Sequence, residues 1–124
     1  MKIRIQGNSL RLRLTQSEVV RFYESGSVSG KIQFPGKQYL NYGLKKTSDH
    51  DVTVSFDKES IVVNVPFDIA DNWAATSQVG FDASVDLGSN GLLSLLVEKD
   101  FKCLSREFED ANDLYPNPNQ EDES

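Results

Sequence analysis

Apolar and polar residues alternate strictly from Lys2 to Gln6 and again from Ser9 to Leu14, with Gly7-Asn8 between the two runs. Period-two alternation marks a half-buried strand, and a two-residue loop containing glycine closes two such strands into a hairpin. That loop length dictates the register. Gln6 faces Ser9, Ile5 faces Leu10, Arg4 faces Arg11, Ile3 faces Leu12 and Lys2 faces Arg13. One face then carries Ile3, Ile5, Leu10, Leu12 and Leu14. The other carries Lys2, Arg4, Arg11 and Arg13 as two rungs of opposed cations, which repel one another unless an anion comes near.

The period changes in LTQSEVVRFYESG, residues 14–26. Thr15 is placed to cap a helix, Glu18 to complete a capping box, and Leu14 with Val19 to act as a hydrophobic staple. Val19, Phe22 and Tyr23 share a face, and Gly26 closes the end.

Three more hairpins follow from alternation and turn chemistry. Val28–Phe34 and Gln38–Lys46 flank Pro35-Gly36-Lys37, and Val52–Phe56 and Ser60–Val65 flank Asp57-Lys58-Glu59. Pro66 suits the first turn of a short helix reaching Trp73 and Ala75, with Ile69 and Trp73 four residues apart. The last pair is Val79–Asp86 with Leu92–Lys99. A five-residue loop, Leu87–Gly91, keeps its apolar residues on one face by opposing Val85 to Leu93, Ala83 to Leu95 and Phe81 to Val97. The pattern fades after Ser105.

These elements predict an α+β fold dominated by antiparallel sheet: four sequential hairpins, curved or partly closed as a barrel, with two short helices. Residues 1–106 form one domain in this reading, and 107–124 an acidic, extended tail. A chain of 124 residues, 38% hydrophobic and with seven Phe, four Tyr and one Trp, is large enough to build one core without disulfide or metal staples. Cys103 is the single cysteine, so no internal disulfide forms, and a small buried hydrophobe is its default role.

Charge changes the picture more than composition does. The formal net charge of −6 conceals an asymmetry, because residues 1–46 hold nine Lys or Arg against two acids, whereas 107–124 hold seven acids and no base. A low overall pI therefore does not exclude an anion-binding face. Charged residues at the start of the chain and the shortness of the longest apolar run, Leu92–Val97, predict a soluble cytoplasmic protein with no membrane partner.

The candidate chemistry is correspondingly narrow. Lys2, Arg4, Arg11 and Arg13 are anion-binding candidates, for a phosphorylated ligand or another anionic partner, with Asp82, Asp86, Glu98 or the acidic tail as internal counter-ions. Asp82, Glu98 and Asp100 are the candidates for a hard cation. KIQFPGKQYLNYGLKK interleaves aromatics with lysines, but Tyr39 and Tyr42 fall on opposite faces of a strand, which argues against a nucleic-acid platform. His50, the one histidine, lies between Asp49 and Asp51 in a loop, so no nucleophile–base pair is evident and no catalytic residue is assigned. No phosphate loop, dinucleotide fingerprint or zinc spacing is present, and no cofactor is expected.

MKIRIQGNSLRLRLTQSEV, WAATSQVGF, LLVEKDFKCL and the late YPNP resemble a family of small bacterial proteins classed only as a domain of unknown function. That resemblance implies a stand-alone bacterial protein and brings no activity with it. SLRLRL, LNYGLKK and LLVEKD are more faintly similar to strands of the triphosphate tunnel (CYTH-like) enzymes, although the Glu-x-Glu-x-Lys of that family is Lys2-x-Arg4-x-Gln6 here. The resulting expectation is a non-enzymatic binding or interaction module. The alternative is a polyphosphate- or nucleotide-binding or phosphohydrolase-like protein that uses the basic hairpin face.

Overall fold

Gly7 takes the positive φ (56°) that the first turn needs, and strands β1 (Lys2–Gln6) and β2 (Ser9–Leu14) pair in the register expected for its two-residue loop. The structure, a computed structural model, describes residues 1–101. Helix α1 (Gln16–Ser25) follows, then β3 (Ser27–Phe34), β4 (Gln38–Thr47), β5 (Thr53–Asp57), β6 (Ser60–Pro66), helix α2 (Phe67–Ala75), β7 (Gly80–Asp86) and β8 (Leu92–Lys99). All four hairpins and both helices are present. The third turn is tighter than its sequence suggests: Asp57 pairs with Ser60, which leaves Lys58 (φ 55°) and Glu59 as the loop.

The hairpins do not join into one curved antiparallel sheet or a partly closed barrel. They form two separate four-stranded mixed sheets, ordered β1-β2-β8-β7 and β3-β4-β6-β5. In each, a parallel pair, β2 with β8 or β4 with β6, binds two hairpins together. Among the described residues each sheet keeps two edges, and the sheets do not close into a barrel or a tunnel of the CYTH-like kind. Helix α1 carries the chain from the first sheet to the second, and α2 carries it back. The expected boundary at residue 106, the acidic tail and Cys103 lie outside the described residues.

This topology repeats itself. Residues of β1-β2-α1-β3-β4 and β5-β6-α2-β7-β8 occupy equivalent places, and the first hairpin of each half takes the last strand of the other half as its parallel partner. Leu10, Leu12, Leu14, Val19 and Phe22 correspond to Ile61, Val63, Val65, Ala70 and Trp73, and most of both sets is buried in one core with Val28, Leu44, Leu95 and Val97. The backbone bonds correspond as well. Lys46 N–H donates to Gly26 O at 2.8 Å and Lys99 N–H to Val79 O at 3.0 Å, while Asn41 N–H donates to Glu59 O and Ser94 N–H to Asn8 O.

Even the helix ends are finished alike. Neither helix has a base in its last turn. Instead, Lys46 Nζ donates to Tyr23 O beneath α1, and Lys99 Nζ donates to Thr76 O beneath α2, each at 2.7 Å. The two ammonium groups lie 5.9 Å from the Phe22 ring and 5.8 Å from the Trp73 ring. A cation there meets carbonyls left unpaired by the helix and the negative end of its dipole. Tyr23, expected on the buried face of α1, is instead exposed at its margin, with Lys46 Nζ 4.8 Å from its ring.

At the other end of α1 the capping box is complete: Thr15 Oγ1 accepts from Glu18 N–H, and the Glu18 carboxylate accepts from Thr15 N–H at 2.9 Å. The amino terminus of Met1 pairs with the same carboxylate. Burial pushes the Glu18 carboxyl up, but hydrogen bonds from the terminal ammonium and from Thr15, with the ammonium's charge, outweigh it and hold the group below its usual value. A lowered folded pKa favours folding above the ordinary Glu range of about 4.3, and that contribution is lost as pH falls through the folded value. Thr15→Ala is expected to cost about 0.5 to 2 kcal/mol. An unchanged urea midpoint would refute the cap's contribution.

Candidate functional site

The polar face of the first sheet can be read strand by strand. One rung runs Lys2, Arg13, Glu98, Gly80, and the next runs Arg4, Arg11, Leu96, Asp82. A third runs Gln6, Ser9, Ser94, Ser84. Strands β1 and β2 thus bring all four expected cations together. Lys2, Arg4, Arg11 and Arg13, with Ile3, line a concavity of about 270 Å³.

The parallel pairing of β2 with β8 decides which carboxylate meets them. Glu98 lies beside Arg13, accepts a hydrogen bond from Arg13 Nε at 2.7 Å, and is 3.6 Å from Arg11 Nε. Arg13 is buried, its side chain 10% exposed. Charge-assisted contacts of this length are among the stronger hydrogen bonds. Gly80 completes the rung: a Cβ there would come within 2.6 Å of Val97 O and 2.9 Å of Glu98 Cβ, so glycine lets β7 close against β8 beside this carboxylate.

Asp100 is held just beyond the end of β8, where its N–H donates to Leu14 O, and its carboxylate pairs with Lys2 Nζ at 3.3 Å. Lys2 is 61% exposed, so this pair contributes little stability by itself. The other two carboxylates lie elsewhere. Asp82 is exposed on the far side of Leu96, and Asp86 accepts from Gly88 N–H in the last turn. Asp82, Glu98 and Asp100 are therefore not gathered around a point, and among the described residues no group of three His, Cys, Asp or Glu is placed to hold a metal ion.

The other motifs take structural places. Tyr42 packs against the core and Tyr39 is exposed with Lys31 Nζ 4.9 Å from its ring, opposite faces as their spacing requires. His50 is exposed in the β4–β5 loop. Among the described residues no helix is long and apolar enough to cross a membrane.

A family match covers residues 1–119. The chain belongs to the family of unknown function DUF7009. No curated protein and no solved structure matches it. For this member, the repeat supplies an internal comparison that sequence reasoning did not use. The places of Lys2, Arg4, Arg11 and Arg13 are taken in the second hairpin by Thr53, Ser55, Val62 and Asn64. Asn64 Nδ2 donates to Thr53 Oγ1 and Ser55 Oγ, a neutral network where the first hairpin has opposed cations.

Proposed function

We propose that this protein is a non-enzymatic binding module, and that the basic side of β1 and β2 is its ligand face, suited to a multivalent anion. The comparison between the two hairpins carries this reading. The same strand–turn–strand–helix unit is built twice, and the second copy closes with no charge at the equivalent places. The fold therefore does not require four cations there. Directly opposed like charges disfavour the hairpin, so their presence in one copy alone points to a use outside folding. Glu98 and Asp100 hold Arg11, Arg13 and Lys2 in place on this face. Because Glu98 is engaged by Arg13, this reading gives it a positioning role and no metal to bind.

Inorganic triphosphate is a direct probe. Isothermal titration at low ionic strength is expected to show binding that weakens steeply with added salt. In Arg4→Gln/Arg11→Gln it is expected to fall at least about tenfold, with the fold retained because the second hairpin closes with the uncharged Ser55 and Val62 at the equivalent places. Equal binding by wild type and this variant, or none by either, would defeat the reading. Release of phosphate from triphosphate in the presence of magnesium would favour the phosphohydrolase alternative.

A further inference from the structure

We infer that the acidic segment 107–124 of this same chain is a tethered occupant of the basic face, competing there with external anions. This rests on the reading of that face as an anion site. The described chain ends at Phe101, one residue after Asp100, whose carboxylate already pairs with Lys2 in the first rung. The backbone is therefore delivered to the edge of the cation cluster. Lys102 and Arg106 are the last bases, and every charged residue after them is an acid: Glu107, Glu109, Asp110, Asp113, Glu121, Asp122 and Glu123.

Reach is not limiting. Five residues lie between Phe101 and Glu107, so the two are at most about 20 Å apart in extended chain, whereas Lys2 and Arg4 stand only about 7 Å apart along their strand. A short tether holds such a segment at an effective concentration of the order of millimolar, so even weak ion pairs would be populated at low salt. The repeat again sharpens the point. The basic face belongs to the first half, yet the carboxylates that meet it among the described residues, Glu98 and Asp100, come from the last strand of the second half and the residue just beyond it. The acidic segment continues from that same strand. Strand pairing thus brings the end of the described chain, Asp100 and Phe101, to the basic hairpin, and the acids follow it in sequence.

The test keeps the full chain and neutralises its acids by E107Q, E109Q, D110N, D113N, E121Q, D122N and E123Q together. Triphosphate affinity at low ionic strength is expected to rise about tenfold or more over wild type, and the difference to vanish in high salt. A synthetic 107–124 peptide added to the neutralised protein is expected to compete with triphosphate, and its scrambled sequence to compete equally, since charge alone is at work. Equal triphosphate affinity in both proteins would overturn the inference while leaving the basic face as an anion site. No binding by either protein would remove that reading and the inference with it. Competition that strengthens with protein concentration would assign the occupant to a second copy and overturn the tethered arrangement.

Discussion

Trp73→Ala is expected to lower stability by about 3 to 5 kcal/mol, the cost typical of truncating a buried aromatic. Trp73 is fully buried, the largest side chain to be so. It meets Phe22 edge-on with ring centroids 6.2 Å apart and Phe81 at 5.4 Å, and its indole N–H donates to Val79 O at 3.1 Å. Truncation would open a cavity where both helices meet the strand that follows α2. It would also leave the Val79 carbonyl without the indole and remove the ring that lies over Lys99 Nζ. Since domains of this size are stable by only about 5 to 15 kcal/mol, the variant should unfold at much lower urea. A midpoint close to wild type would mean that the core collapses into the space, and the pivotal place given to Trp73 would be wrong.

Trp73 also shows where the sequence stops being readable. Its spacing from Ile69 placed it on a helix, but nothing local revealed that it is the counterpart of Phe22 across the two halves. The registers of β1–β2 and β7–β8 were legible because loop length and alternation set them together, and the cap at Thr15 was legible because a capping box lies within four residues. The parallel pairs were not. Strand β2 meets β8 across most of the chain, and β4 meets β6 with β5 between them in sequence, so no short-range signal marks either pairing. With those pairs hidden, two open mixed sheets look like one meander heading for a barrel.

The candidate site divides in the same way. The two cation rungs follow from the Gly7-Asn8 turn alone. Which carboxylate answers them does not, because Asp82, Asp86 and Glu98 all project from the polar face of the last hairpin. Only the position of β8 next to β2 brings Glu98 to Arg13 and leaves Asp82 beyond Leu96. The repeat was obscured for a related reason: the halves share apolar character at buried places such as Leu12 and Val63, but on the outer face Arg11 and Arg13 stand where the other half has Val62 and Asn64.

Glu98→Gln is therefore expected to change both stability and binding. Removing one member of a fully buried ion pair costs about 3 to 5 kcal/mol, because the remaining charge is left uncompensated. Here Arg13 is 10% and Glu98 18% exposed, so partial access of water reduces the expected loss to about 1 to 3 kcal/mol. The amide keeps the shape and can still accept from Arg13 Nε, which makes the measured loss a charge effect with little cavity contribution. Combining Glu98→Gln with Arg13→Asn, which installs at this place the residue found at its counterpart Asn64, should cost less than the sum of the two single changes, since neither partner is then left charged and alone. Strict additivity in that cycle would show that the 2.7 Å contact is not coupled in stability. Glu98→Gln alone should also bind triphosphate more tightly at low salt than wild type, because Arg11 and Arg13 lose their shared internal anion while keeping their places. A variant that is destabilised but binds no better would mean that these two guanidinium groups serve the fold, and would shift the ligand face toward Lys2 and Arg4.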